Sequence, residues 1–391
     1  MKKLILILLI SNGINMFGQL TINEVLAEIE NNNTSLKAQE ENEKAQVASF
    51  NIGRELANPE VSYDYFIGSP STAGNQTDIA VTQPFDFPTT YKKKKELAAS
   101  KTISVGYQTQ ALRQNIMQDA KLICVEIIFQ EKLKSQLEQQ KDNIASILQT
   151  FEEKLLKGSG NGMDVSKAQL QLMQVETSIQ IVNTNITQLN KELSLLNGGL
   201  DIVFSDTLYF MNENTKSLDD LKTNGTKVNP LKLSYDQNKE IAIKNLAVAK
   251  ANILPKMEAG YHYQGILGQT FQGVHFGFSI PLWENKNEVK YYQEQQNVAE
   301  AYSLDYNMQV LTEIQMHYES YENHKTTLAK YQAFFDNANN LNLLRKALDN
   351  GQLKAVEYFN EINYFNQSKI SYLTTEKEMY KSIVMMTKYE N

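Results

Sequence analysis

Proline is absent from two long stretches of the chain, residues 89–229 and 282–391. Proline lacks a backbone N–H and clashes with the preceding helical turn, so it is the main breaker of helices. Stretches this long without proline predict long helices, and a helix of about 69 residues extends about 100 Å. No globular core of a chain this size could bury such a rod from end to end. We therefore expect the helices to pack along one another.

The chain contains two copies of one structural plan. In each copy a helix precedes a proline, strand-like segments with tyrosines follow, and a proline-poor helix runs to a glycine break and resumes as a second helix. The matching landmarks lie 195, 196, 197 and 193 residues apart. They are Leu36 and Leu231, Pro59 and Pro255, Pro84 and Pro281, and Gly158 and Gly351. The plan predicts a first repeat at 19–197, a linker at 198–228 and a second repeat at 229–391.

Apolar residues after the first glycine break recur at alternating spacings of three and four. They are Leu172, Val175, Ile179, Val182, Ile186, Leu189, Leu193 and Leu196. A sustained heptad seam of this kind is typical of coiled-coil packing. The sequence therefore predicts a long two-helix hairpin with coiled-coil packing in each repeat.

Four segments alternate between an apolar or aromatic side chain and a polar or small one. The predicted strands lie at about 60–68, 77–86, 256–265 and 272–282. This alternation fits a transmembrane barrel wall, with lipid on one side and water on the other. It fits equally well a soluble four-stranded sheet that faces a core. Four strands cannot close a barrel by themselves, so the membrane interpretation requires several copies of the chain.

The first eighteen residues have the pattern of a secretory signal peptide, predicted at 1–18. Lys2 and Lys3 precede a short apolar run, Leu4–Ile10, and small residues follow. The apolar run is too short to span a bilayer. The alternative to a signal peptide is a buried N-terminal strand or helix. Export from the cytoplasm is therefore expected.

Charge and motif content exclude several classes of function. The net charge of −7 argues against nucleic-acid binding, which needs a cationic surface, and the single cysteine, Cys124, excludes a disulfide scaffold. The sequence contains no phosphate-binding glycine loop, no nucleophile elbow and no HExxH motif. We therefore predict no enzymatic activity and no cofactor.

Several motifs resemble those of one known family. They are the run Ala249–Lys256, the strand end Ser279–Leu282 and the glycine-containing turns at 158–162 and 350–351. Together with the duplicated plan, they make the chain similar to the TolC family of outer-membrane efflux channels over essentially the whole mature chain. The resemblance implies a mainly α fold with a small β part. Long coiled-coil helical hairpins and four transmembrane strands per chain would close as a trimeric twelve-stranded β-barrel and an α-helical tunnel.

The same resemblance implies a function and partners. The chain would be a homotrimer with passive, porin-like activity in the cell outer membrane, in contact with outer-membrane lipid and with helices extending into the periplasm. A periplasmic adaptor (membrane fusion protein) would connect it to an inner-membrane pump, expected to be of the RND type. The segment Gln83–Lys93 is also similar to the heavy-metal efflux branch of the family. The expected cargo is metal cations or drugs. The alternative is a soluble periplasmic coiled-coil scaffold or adaptor.

Three residues after the second glycine break share one helix face, because Glu357, Asn360 and Glu361 are spaced i, i+3 and i+4. In the family, acidic residues one helical turn apart at this point form the constriction that selects cations. Glu357 falls on the first of these positions and Asn360 on the second, a departure that halves the acidic ring. The alternative is a solvated helix face. Asp164, at the equivalent place in the first repeat, belongs either to this gate or to the cap of its helix.

Cationic and aromatic side chains are candidates for contact with the membrane surface. Lys92, Lys93 and Lys94 begin the long helix after the second strand, where they could meet anionic headgroups or form a solvated helix start. Trp283 and Tyr291 follow the fourth strand and suit an aromatic belt at the same interface, with ordinary packing as the alternative.

The four histidines are the remaining candidates for a functional role. His262 and His275 fall in predicted strands, on the side expected to line the lumen. His317 and His324 lie seven residues apart on one helix face, but two side chains do not complete a metal site. No metal site is therefore predicted.

Overall fold

The computed structural model describes residues 21–210, 215–283, 286–337 and 340–389, without the side chains of 337, 340 and 341. The predicted signal peptide at 1–18 lies outside the described residues. This part of the chain is mostly helical with a small antiparallel sheet, as predicted. None of its helices is long and apolar enough to cross a membrane.

The elements follow the duplicated order expected from the sequence, with additional short helices. The helices are α1 (Ile22–Asn32), α2 (Thr34–Ser49), α3 (Pro88–Leu156), α4 (Gly162–Leu196), α5 (Leu218–Lys227), α6 (Pro230–Ala251), α7 (Lys286–Asn337), α8 (Asn340–Asp349) and α9 (Ala355–Met386). The strands are β1 (Glu60–Phe66), β2 (Gln76–Phe85), β3 (Lys256–Ile266) and β4 (Gln269–Ser279). A short 3-10 helix, Ser71–Ala73, lies in the loop between β1 and β2.

Two helices were not predicted, although both begin at a recognisable cap. The α1 helix begins at a capping box, in which the Thr21 backbone N–H donates to Glu24 Oε2 over 2.7 Å and the Thr21 hydroxyl accepts from the Glu24 N–H. This hydrogen bonding from Thr21 lowers the pKa of Glu24. The α5 helix lies inside the predicted linker and begins at Ser217, whose hydroxyl accepts from the Asp220 N–H.

The fourth strand is shifted relative to its predicted bounds of 272–282. It begins at Gln269 and ends at Ser279, before Pro281. Proline has no N–H to donate to the ladder, so the strand stops before it reaches that residue. The ends of the other strands differ from the prediction by one or two residues.

The chain divides into two compact units, and each draws on both sequence repeats. Unit 1 is formed by segments within Met1–Thr34, Met117–Thr215 and Ser320–Val384. Unit 2 is formed by segments within Ser35–Ile116, Lys216–Glu319 and Met385–Asn391. The division between the units therefore does not follow the division between the repeats.

Unit 1 contains the heptad seam of α4. Val175 and Val182 are buried against Leu137 and Ile144 of α3. Other members of the seam pack against this cluster, namely Leu172, Ile179 and Ile186. The spacing of three and four thus has the packing consequence that the sequence predicted.

Unit 2 contains the four-stranded sheet, whose order is β1-β2-β3-β4 with every neighbouring pair antiparallel. The central pair, β2 and β3, joins the two repeats, with Val81 opposite Tyr261. At the end of the sheet from which α3 begins, the Thr90 hydroxyl donates to the Ala251 carbonyl over 3.3 Å. The strands β1 and β4 form the two edges of the sheet within the described chain.

Candidate channel wall and helical turns

The register of the sheet determines which side chains share a face. Val61 lies opposite Val81, and Tyr261 lies opposite Val274. We call the face that contains this row the uncharged face, because none of its residues within the described strands is acidic, basic or histidine. Its members are Val61, Tyr63, Tyr65, Thr77, Ile79, Val81, Gln83, Phe85, Met257, Ala259, Tyr261, Tyr263, Gly265, Thr270, Gln272, Val274, Phe276 and Phe278.

The opposite face, which we call the charged face, carries the acidic, basic and histidine side chains of the strands. They are Glu60, Asp64, Asp78, Lys256, Glu258, His262 and His275. Asp64 and Asp78 lie directly opposite each other, and like charges in this position destabilise a sheet unless water screens them. His262 and His275, both expected on the lumen side, lie on this face.

Glycines make room on the charged face for two of its larger side chains. Gly260 lies opposite His275, and any side chain at position 260 would collide with the imidazole. Gly277 lies opposite Glu258, where a side chain would collide with the carboxylate. The His275 Nε2 and Glu258 Oε1 atoms are 3.7 Å apart. The charged face is therefore built with space above its ionisable groups.

The uncharged face is exposed in the single chain. Val274 is 74% exposed and Phe276 is 73% exposed. Soluble monomers rarely expose a large contiguous apolar patch, and such patches mark contact with a protein, a ligand or a membrane. The alternative of a soluble sheet that faces its own core does not match this exposure.

The lysines at the start of α3 are partly engaged in ion pairs. Lys94 Nζ lies 2.8 Å from Asp86 Oδ2, and Lys93 Nζ lies 3.3 Å from Glu96 Oε2. Lys92 is exposed. Cations are unfavourable near a helix N-terminus, and the neighbouring carboxylates offset that cost.

The aromatic candidates differ in their surroundings. Trp283, which follows β4, is 88% exposed. Tyr291 contacts the ring of Tyr292, with the ring centroids 5.1 Å apart, and lines a groove of about 340 Å³ with Tyr235 and Tyr302.

The start of α3 and the segment after β4 lie at the same end of the sheet. Phe85 at the end of β2 pairs with Met257, and Met257 pairs with Phe278 near the end of β4. We call this the helix end of the sheet, and the end with the two hairpin loops the loop end. The structure thus brings the lysines and Trp283 to one end of the sheet.

The two glycine breaks in unit 1 form turns with the same backbone. Gly158 has φ of 74° and Gly351 has φ of 71°, a conformation that favours glycine. The Gly158 N–H donates to the Leu155 carbonyl over 3.0 Å, and the Gly351 N–H donates to the Leu348 carbonyl over 3.1 Å. All of these landmarks are offset by 193 residues, so the duplication extends to individual hydrogen bonds.

The helices that follow the two turns are capped differently. In the first turn Asn161 Oδ1 accepts from the Met163 N–H over 3.0 Å. The cap of α4 is therefore Asn161 and not Asp164, because α4 begins at Gly162 and Asp164 is already inside the helix. In the second turn the equivalent of Asn161 is Lys354, and Glu357 Oε2 accepts from the Lys354 N–H over 2.9 Å.

One buried cluster holds both turns together. The rings of Phe151 and Phe359 meet edge to face, with centroids 6.5 Å apart. The buried members of the cluster are Ile147, Phe151, Val165, Ala168, Leu348, Ala355, Tyr358, Phe359 and Ile362. The first turn of α4 and the first turns of α9 therefore lie at the same end of unit 1.

The three α9 gate candidates are exposed while their neighbours are buried. Glu357, Asn360 and Glu361 face outward, whereas Tyr358 and Phe359 point into the cluster. Glu361 also lines a cavity of about 420 Å³, together with Phe334, Tyr364 and Phe365 among others. The α9 face next to the second turn is thus acidic with aromatic neighbours.

The two residues that directly precede α4 and α9, Asn161 and Lys354, were not singled out in the sequence. Asn161 carries a signal that could have identified it, since asparagine is strongly preferred at a helix N-cap. Lys354 carries no such signal, because its side chain cannot accept a hydrogen bond.

Metal and thiol chemistry find little support in the part of the chain that the structure describes. It contains no cluster of three or more histidine, cysteine, aspartate or glutamate side chains that could hold a metal ion. Burial lowers the pKa of His317. Burial also raises the pKa of the Cys124 thiol to about 12, so this thiol is protonated and unreactive near neutral pH.

Comparison with models of protein families gives no match, and comparison with curated protein sequences also gives none. Solved structures do match. A CusC structure has 13% identity and a TM-score of 0.79, covering 94% of this chain and 91% of that one. The outer-membrane channel OprN has 12% identity and a TM-score of 0.78, covering 94% and 89%. The outer membrane protein VceC from Vibrio cholerae has 13% identity and a TM-score of 0.76, covering 94% and 95%.

At these identities the comparisons establish the fold. The chain has the fold of solved outer-membrane channels, mostly helical with a small antiparallel sheet. The predicted fold of the single chain, mainly α with a small β part and similar to the TolC family, is confirmed.

Proposed function

We propose that the chain is the outer-membrane channel subunit of a tripartite efflux system, a passive exit duct for substrates that other components deliver. One observation carries the proposal. The sheet confines its charges to one face, and the other face exposes apolar and aromatic side chains. Such a sheet suits a wall between lipid and water.

The open edges of the sheet support assembly from several copies. In lipid an unpaired strand edge leaves N–H and C=O groups without partners, which costs several kcal/mol for each group. The strands β3 and β4 have 11 residues each, enough to cross the hydrocarbon layer. We propose a homotrimer in which β1 of one copy pairs with β4 of the next, so that the uncharged face meets outer-membrane lipid.

The remaining candidate residues have roles within this proposal. His262 and His275 would line the lumen, and the lysines and aromatic residues at the helix end of the sheet would meet the headgroups. The exposed α9 face would carry the constriction, to which Asp164 would contribute from the first turn. A periplasmic adaptor and an RND-type pump would supply energy and cargo, either metal cations or drugs.

Fractionation and sizing of the full chain test the proposal. The channel should appear in the outer-membrane fraction, require detergent for extraction and run as a trimer that dissociates on heating. A monomer or dimer in the soluble periplasmic fraction would contradict the proposal and favour the alternative of a coiled-coil scaffold or adaptor.

Two matched lysine variants test the assignment of the faces. Val274→Lys places a charge on the uncharged face, where it costs about 2–4 kcal/mol per chain if that side chain lies near the bilayer midplane. His275→Lys places the same charge one residue away on the charged face. We expect the first variant to lose the heat-sensitive trimer and the second to retain it. Equal trimer yields would refute the assignment.

A further inference from the structure

The two histidines of the sheet lie in neighbouring rows of the charged face. The row of His262 contains three small residues besides it, namely Ser62, Ala80 and Gly273. The imidazole is therefore the only ionisable side chain of this row. A side chain added at Gly273 would meet no atom within 4 Å, so there is open space beside His262 on β4. The next row towards the helix end contains His275.

Carboxylates flank the two histidine rows on the same face. Asp64 and Asp78 occupy the next row towards the loop end, and Glu258 occupies the next row towards the helix end. Glu60 lies in the row of His275. Because His275 Nε2 lies 3.7 Å from Glu258 Oε1, a protonated imidazole forms an ion pair with this carboxylate.

The net charge of the face depends on the histidines. Its strands carry four carboxylates and one amine, that of Lys256, so the net charge per chain is −3 with both imidazoles neutral and −1 with both protonated. Histidine ordinarily changes its charge between about pH 5 and 8, whereas carboxylates ordinarily stay ionised above about pH 5. Mild acid therefore removes most of the net negative charge of the face while the carboxylates remain ionised.

We infer that His262 and His275 make the cation preference of the lumen depend on pH, so that it is strong near neutral pH and weak in mild acid. The inference rests on the proposed function, because it requires the charged face to line a lumen. Rings of acidic side chains around a pore select cations. In the proposed homotrimer each copy would add two imidazoles between the acidic rows, and their protonation would offset part of the negative charge. The histidines would thus determine how strongly the lumen favours cationic over anionic solutes.

Planar-bilayer recordings of the reconstituted full chain test the inference. The reversal potential under a KCl gradient gives the permeability ratio of K⁺ to Cl⁻, measured at about pH 7.5 and about pH 5.5, on either side of the ordinary titration of histidine. In the native chain we expect this ratio to fall about twofold between the two pH values. His262→Gln/His275→Gln keeps two polar side chains that do not titrate. Its ratio should equal the native one at the higher pH and change little at the lower pH.

A matched control and the conductance itself separate this inference from the proposed function. His317→Gln/His324→Gln removes two histidines of α7 and should leave the fall in the permeability ratio at its native size. Absence of conductance from the native chain would contradict the proposed channel itself. A conducting native chain whose ratio does not fall, or falls equally in the His262→Gln/His275→Gln variant, would overturn the role of the two sheet histidines alone.

Discussion

The two helical turns of unit 1 have the same backbone but different chemistry. In the first turn Asn161 accepts the exposed N–H at the start of α4. In the second turn the equivalent residue is Lys354, which cannot accept a hydrogen bond, and Glu357 reaches back to cap the helix. The glycine positions and their hydrogen bonds are the same in both turns, but the caps differ. The first cap is Asn161 Oδ1, which accepts from the Met163 N–H, and the second is Glu357 Oε2, which accepts from the Lys354 N–H.

This difference bears directly on the proposed gate. Glu357 is exposed, yet its carboxylate accepts from the Lys354 backbone N–H near the positive end of the α9 dipole. In the first turn the cap is the Asn161 side chain, which accepts from the Met163 N–H, and not Asp164, the equivalent of Glu357. In the second turn one carboxylate, that of Glu357, therefore has both a structural role and a proposed functional role. In the first turn Asn161 has the structural role and Asp164 has the proposed functional one.

The largest expected effect comes from the cluster that supports both turns. Phe359→Ala removes a buried ring that contacts Phe151, and such truncations cost about 3–5 kcal/mol. We expect the midpoint of denaturant unfolding to fall, with Cys124 becoming reactive at a lower denaturant concentration. Tyr364→Ala, at a position that is 74% exposed on the same helix, is the matched control and should have little effect. Similar shifts in the two variants would contradict the role of the cluster.

The glycines test whether the two turns are equivalent. Alanine at Gly158 or Gly351 must adopt positive φ, which costs about 1–2 kcal/mol. A Cβ added at either position would meet no atom within 4 Å, so backbone strain alone should determine the loss. We expect equal losses of unfolding free energy from Gly158→Ala and Gly351→Ala. Gly162→Ala, in a helix without positive φ, should show no loss, and unequal losses in the two turns would break the equivalence.

The caps test the difference between the turns. Asn161→Ala should cost about 1 kcal/mol of unfolding free energy, because it removes the side-chain acceptor of the first turn. Lys354→Ala should cost much less, since Lys354 supplies no acceptor. Lys354→Asn should stabilise α9 by introducing the cap of the first turn. These changes are measurable as shifts in the denaturant midpoint, and equal costs for the two alanine variants would show that the caps do not differ.

Periodic signals made most of the fold predictable. The heptad spacing around Val175 and Val182 predicted the packing of α4, and the strand alternation predicted the separation of the two sheet faces. Both patterns repeat over many residues, so one exception, such as the apolar Phe66 on the charged face, does not hide them. The repeat offset of 193 also located both glycine turns.

Local signals were less informative. The α1 and α5 helices are 11 and 10 residues long, too short for a periodic pattern to dominate, and only their caps at Thr21 and Ser217 indicate them. Glu357 acts as a cap by accepting from the Lys354 N–H, in a turn where the Lys354 side chain cannot accept a hydrogen bond. No local sequence pattern indicates this arrangement. The register that places Val81 opposite Tyr261 depends on pairing between strands of different repeats.

The smallest expected effect on stability comes from Glu357, and it separates the cap from the charge. Glu357→Gln keeps an oxygen that can accept from the Lys354 N–H but removes the negative charge, whereas Glu357→Ala removes both. We expect a small stability loss only in the alanine variant. If Glu357 contributes to the constriction, both variants should lower the preference for cations over anions in planar-bilayer conductance, because carboxylates repeated around one axis attract cations.

Asn360→Asp is the complementary variant, because it adds a carboxylate on the same exposed α9 face without touching the cap. It should raise cation preference at unchanged stability. If cation preference is unchanged in all three variants while Glu357→Ala still loses stability, then Glu357 is a cap alone. The two turns would then differ only in how their helices begin, and the constriction would have to be sought among the other exposed side chains of α9.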